Sequence, residues 1–141
     1  MWLISPCSSK LDLIKTKVFA NPILDIFGFT GFSEQDNAII AAFRGTVDIQ
    51  NWIANLDAAQ VSYPGCKSCM IHQGFYNAYQ SVSGYVKANI EKLQGKYPNS
   101  KIFVTGFSLG GALATIAALD IKKAFGKVDE FYTFGQPRVG N

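Results

Sequence analysis

The chain has 141 residues, 48% hydrophobic and 16% charged, which fits one globular domain with a core of its own. Its 13 basic and 10 acidic residues give a net charge of +3. The basic residues are scattered from Lys10 and Lys15 through Arg44 to Lys87 and Lys101 rather than gathered on one stripe, which argues against nucleic-acid binding. No apolar run approaches the roughly 18 residues of a membrane-spanning helix.

The N-terminal stretch "MWLISPCSSKLDLIK" lacks the basic start and longer apolar core of a signal peptide. "ILDIFGFTGF" (Ile23 to Phe32) is rich in β-branched and aromatic residues and reads as a strand, followed by turn chemistry in "SEQDN". "AIIAAF" (Ala38 to Phe43) is a short unbroken apolar run, expected of a strand covered on both faces. The two read as a hairpin ending at Arg44-Gly45-Thr46. "DIQNWIANL" then places Ile49, Trp52, Ile53 and Leu56 at helical spacing, and the region from Asp57 to His72 reads as a loop.

That loop carries Cys66 and Cys69, with Cys7 elsewhere. The C-x-x-C spacing is compatible with a zinc half-site, a redox pair, free thiols or a short-loop disulfide. A zinc site would need two more ligands and only Cys7 and His72 are at hand, so a disulfide in an oxidising compartment is the favoured reading. Cys7 is then left over.

From Gly74 to Gln94 the residues Phe75, Tyr79, Val82, Val86, Ile90 and Leu93 recur at steps of three and four, the pattern of a core-facing helix. "KIFVTGF" is a strand, "LGGALATIAALDIKKAF" a helix closed near Gly126, and "VDEFYTFG" a strand. Strand, helix and strand in this order make a βαβ unit with parallel strands, so the fold class is α/β. The chain shows no internal repeat and no internal domain boundary.

The chemistry concentrates at Gly106-Phe107-Ser108-Leu109-Gly110. A serine hydroxyl is a poor nucleophile until a base takes its proton. A tight strand-to-helix turn would expose its oxygen above the sheet and aim the first N–H groups of the helix at a developing oxyanion. Such a turn is crowded, so the positions two before and two after the serine must lack side chains, as Gly106 and Gly110 do. Gly111, Ala112 and Ala114 would let the helix lie close to its neighbours.

"TGFSLGGALA", with "FRGT…NWIANL" and "HQGFYNAY" before it and "YTFGQPRVGN" after it, resembles the class 3 lipases of the α/β-hydrolase fold. The motifs occur in order from about Ala38 to Asn141. The resemblance implies Ser108 as nucleophile and the backbone N–H of Leu109 as one oxyanion donor. Thr46 would be the second, through its N–H and its hydroxyl. It also makes Asp48, Ile49, Trp52, Ile53 and Leu56 part of a lid that moves at a lipid–water interface; the alternative is a fixed surface helix with its apolar side on the core.

His72 is the only histidine, but it precedes Ser108, whereas the triad order in this fold is Ser, acid, His, so it is not expected to be the base. Asp120 and Asp129 do not sit past a later strand end, where the acid belongs. The family's acid and base follow the "GQPRVGN" segment, so residues 1–141 read as one partial α/β-hydrolase domain, the N-terminal part of the sheet. The implied activity is carboxylic ester hydrolysis, foremost of triacylglycerols, on a lipid or ester substrate, with no metal or organic cofactor. A phospholipase or feruloyl-type esterase keeps the mechanism with another substrate, and a non-catalytic lipid-binding or interaction protein is the alternative without the triad. The cysteine pair and the resemblance place it as secreted or lumenal.

Overall fold

Three strands open the described part of the molecule, which in this computed structural model comprises residues 13–54 and 59–141. β1 (Leu13–Asn21), β2 (Ile26–Ser33) and β3 (Ala38–Phe43) form an antiparallel meander. β1 was not anticipated: with three exposed polar positions in "KTK" it lacks a core-facing run, and it lies at the edge of the sheet. The expected strand at Ile23 instead starts at Ile26. Pro22–Leu24 form a 3-10 turn, whose Leu24 N–H donates to the Asn21 side chain, and Asp25 closes it in the left-handed conformation (φ 51°, ψ 34°). Proline at the first position and a polar residue in the left-handed well favour a turn here over a longer strand.

After β3 come a short helix α1 (Ile49–Ala54) and a two-stranded hairpin of β4 (Gln60–Ser62) and β5 (Met70–His72). The region read as a loop therefore contains a small sheet, whose strands are too short to show alternation. α2 (Gln73–Lys96), β6 (Lys101–Phe107), α3 (Leu109–Phe125) and β7 (Glu130–Phe134) complete the fold. β6 runs parallel to β3 and β7 parallel to β6, giving a five-stranded mixed sheet in the order β1-β2-β3-β6-β7.

α2 and α3 pack on each other and on one side of this sheet. The expected stripe of α2 is buried, from Phe75 and Tyr79 to Ile90 and Leu93, and meets Ile39, Phe43, Ile102 and Val104 from the strands. Each such side chain contributes about 1.5–3 kcal/mol on leaving water. Gly126 ends α3 at φ 79°. The two helices are also joined by a polar contact: the buried Tyr79 hydroxyl donates to Asp120 Oδ2 at 2.8 Å, and Lys87 Nζ lies 3.0 Å from the same oxygen. Burial first, and then this bond, push the Tyr79 phenol far above its usual pKa.

The expectation that β3 is covered on both faces holds only in part: Ala38, of the parity away from the helices, is buried, but the residues after it alternate. Ile39, Ala41 and Phe43 point to the helices and are buried, whereas Ile40 and Ala42 are only half-buried. An unbroken apolar run cannot distinguish these cases, because only one parity meets the helices. The opposite face carries a cross-strand row through Val18, Phe29, Ala42, Thr105 and Tyr132, with Phe107 beside Phe134. Val18, Phe107, Tyr132 and Phe134 are each more than half exposed.

Candidate active site

β6 ends at Phe107 and α3 begins at Leu109, so the whole strand-to-helix turn is Ser108, at φ 55° and ψ −124°. Residues with a side chain rarely adopt this conformation. It is held from both sides: the Ser108 N–H donates to the Phe134 carbonyl at 2.8 Å, and its carbonyl accepts from Gly111 and Ala112. A Cβ at Gly106 would overlap the Gly110 backbone, and one at Gly110 would overlap the Phe43 carbonyl. Both glycines are thus required by close approach, as the sequence suggested. A Cβ at Gly111 would come within 2.8 Å of Gln136 Cβ and 3.4 Å of Thr133 Cβ, and Ala112 and Ala114 are buried.

Ser108 is not exposed, contrary to the sequence reading: it is 7% accessible. Gly45 is packed against it, since a Cβ there would lie 2.8 Å from the Phe107 carbonyl oxygen and 3.2 Å from Ser108 Cβ. The side chain that stands out at the turn is Phe107, 62% exposed.

The approach of Gly45 brings the "FRGT" segment to the elbow, with Thr46 next in the chain. Neither the Thr46 nor the Leu109 N–H has an acceptor among the described residues. The Thr46 hydroxyl is engaged: Oγ1 donates to Asp25 Oδ2 at 2.7 Å and accepts from the Asp48 N–H at 3.3 Å. Arg44 Nη2 donates to the other Asp25 oxygen at 2.6 Å, and its guanidinium lies 4.2 Å from the centre of the Phe27 ring. Asp25 was missed by sequence reasoning. Its signal was an acidic residue interrupting the apolar run "ILDIF".

α1 follows directly. Asp48 accepts the Asn51 N–H at its start, as an N-cap does. Ile49 and Trp52 are half-buried. Trp52 stacks on Phe75 (centroids 5.4 Å apart) and donates Nε1–H to the Leu24 carbonyl at 3.2 Å. Ile53 belongs to this helix, while Leu56 lies outside the described residues, as does Cys7.

His72 caps α2: its Nδ1 accepts the Gly74 N–H at 3.2 Å and its ring packs on Phe75. Asp120 is committed to Tyr79 and Lys87. Asp129 accepts the Ile102 N–H at the opposite end of β6 from Ser108. These three residues have structural partners. Cys66 and Cys69 form a disulfide in the turn between β4 and β5, so neither offers a thiolate to zinc. Among the described residues no group of three or more His, Cys, Asp and Glu side chains could hold a metal, and no helix is long and apolar enough to cross a membrane.

Residues 40–141 match the family described as "Lipase (class 3)". The chain belongs to the class 3 lipases. A lipase from Rhizomucor miehei is 35% identical over 144 residues, covering 99% of this chain and 40% of its own length. Secreted mono- and diacylglycerol lipase 1 of Fusarium solani is 38% identical over 117 residues, covering 81% of this chain and 35% of its own. Among solved structures, Rhizomucor miehei triacylglyceride lipase superposes with a TM-score of 0.85 at 35% identity, covering 96% of this chain and 52% of that one. Lipase II from Rhizopus niveus gives 0.88 at 28% identity, covering 100% and 55%. This class 3 lipase chain therefore has the α/β-hydrolase fold and spans about 40% of the length of its Rhizomucor relative.

Proposed function

We propose that this chain is the nucleophile-bearing part of a secreted serine ester hydrolase that cleaves acylglycerols, triacylglycerols foremost, within a single α/β-hydrolase domain. The observation that carries the reading is Ser108 at a one-residue elbow with Gly45 packed on it, the N–H groups of Leu109 and Thr46 having no acceptor among the described residues. Ser108 Oγ attacks the ester carbonyl, its proton passing to a base that the longer protein contributes. The carbonyl oxygen becomes an oxyanion facing the two N–H groups, and removing one such donor typically costs about 2.7–4 kcal/mol of transition-state stabilisation. Collapse expels the alcohol and leaves an acyl-Ser108, which water hydrolyses to the fatty acid.

Helix α1, closed onto Phe75 by Trp52, acts as the lid in this reading, and a lipid surface supplies an apolar partner for the same indole. Secretion is supported by the Cys66–Cys69 disulfide and by the secreted relative from Fusarium solani. A fluorophosphonate probe should label the full-length protein at Ser108, and Ser108→Ala should abolish hydrolysis of a triacylglycerol emulsion. Hydrolysis that persists in Ser108→Ala overturns the assignment. Turnover of phospholipids or aryl esters in preference to acylglycerols overturns the substrate class alone.

A further inference from the structure

We propose that the cleft between β1 and the last third of α2 binds a phosphate group, at a site separate from Ser108 and independent of its role. β2 and β3 stand between β1 and the elbow strand β6. The cleft has a volume of about 360 Å³, within the range of small-molecule sites. Lys15 and Lys17 line it from the strand and Lys92 and Lys96 from the helix, and no carboxylate lines it among the described residues. The fold thus gathers lysines that stand far apart in the sequence. None of the four forms an ion pair among the described residues. Like charges around one cavity repel, and a bound anion turns that repulsion into attraction.

A bulge in β1 builds the arrangement. Ile14 pairs with Phe32 and Lys17 with Thr30, so Lys15 and Thr16 together oppose Gly31. Lys15 sits at φ 55°, uncommon for a residue with a side chain, and a Cβ at Gly31 would lie 3.1 Å from Thr16 Oγ1. The extra residue changes the parity of the strand. Lys17 rather than Val18 therefore shares the helix-facing side with Thr30.

Thr30 sets this cleft apart from a solvated cluster of charges. It lines the cavity, it is wholly buried, and its Oγ1 has no hydrogen-bond partner among the described residues. Lysines on an edge strand deter pairing with another chain, and lysines in a last helical turn offset the helix dipole. Neither role accounts for a buried hydroxyl without a partner, which is costly to keep. A phosphate oxygen can accept from that hydroxyl, from the half-buried Asn89 amide and from the ammonium groups. A phosphate monoester brings about two negative charges and three acceptor oxygens, where a carboxylate brings about one charge and two oxygens, so this donor set fits phosphate better.

The test follows inorganic phosphate binding to the full-length protein by titration calorimetry and thermal unfolding, with sodium chloride of matched ionic strength as control. Phosphate at about ten times its Kd should raise the melting temperature by about 3–6 °C above the control. Lys17→Gln/Lys92→Gln should weaken binding by about tenfold or more, and Thr30→Val by about three- to tenfold. Thr30→Val has a second signature: without phosphate it should melt at or above the wild-type temperature, because valine keeps the shape and removes the unpaired hydroxyl. No shift beyond the chloride control at about 20 mM phosphate overturns the proposal. So does an unchanged Kd in Lys17→Gln/Lys92→Gln, or a Thr30→Val that melts well below wild type. Vesicles of phosphatidylcholine with and without about one-fifth phosphatidic acid identify the source of the phosphate. Capture by phosphatidic acid that inorganic phosphate competes away and Lys17→Gln/Lys92→Gln abolishes supports the site with a lipid phosphate. Phosphate binding without capture supports it with a dissolved one. None of these readouts involves Ser108, so the ester hydrolase reading stands or falls separately.

Discussion

Replacing Tyr79 by phenylalanine removes one atom from the contact between α2 and α3 and leaves the ring in place. At neutral pH the variant loses a hydrogen bond to a charged acceptor, worth about 1.5–3 kcal/mol. Asp120 keeps Lys87 and a side chain 21% exposed to water, which puts the loss near the lower figure, roughly 1.5 kcal/mol or about 5 °C in melting temperature. The difference should vanish in alkali. The folded phenol is held far above its ordinary value of 10.0, so above pH 10 the unfolded chain sheds a proton that the native state keeps. The unfolded state then binds fewer protons and stability falls as pH rises. At pH 11 the cost to the wild type is RT ln(1 + 10), about 1.4 kcal/mol, and the variant is spared it. Other tyrosines titrate alike in both proteins and cancel in the difference. Urea unfolding at pH 7 and pH 11 measures the gap directly. A gap of the same size at both pH values refutes the reasoning.

Gly45→Ala should destabilise the protein by about 1–3 kcal/mol, because the new methyl meets the Phe107 carbonyl oxygen, and slow probe labelling of Ser108 by up to about 100-fold. Native melting together with native labelling would refute the contact. Trp52→Phe keeps an aromatic ring over Phe75 but loses the bond to Leu24. It should weaken closure of α1 by about 0.5–1.5 kcal/mol and lower the ratio of activity on emulsion to activity on soluble ester. An unchanged ratio would show that α1 does not gate the site.

The elbow was legible because its chemistry is local: Gly106 and Gly110 flank Ser108 at the spacing that close approach dictates, between a β-rich run and an apolar helix. The stripe of α2 was legible for the same reason, periodicity being a property of neighbours. Asp25 was not, since its partners lie 19 and 21 residues away and are reached only because a 3-10 turn folds it back into the left-handed well. The burial of Ser108 was misread because Gly45, which packs on it, arrives from the loop after β3, more than 60 residues earlier in the chain. β4 and β5 escaped because three-residue strands carry too little alternation to register.

The backbone at Ser108 has a bearing on descent as well as on chemistry. Holding a residue with a side chain at φ 55° costs about 1–3 kcal/mol, and glycine would relieve most of this for an entropic cost of about 0.5–1 kcal/mol. A lineage with no use for a hydroxyl at this point would gain from drifting to glycine by a single replacement. Serine is the residue that stands there. A hydroxyl is the one feature that glycine would not supply there, which is what the proposed nucleophile role requires.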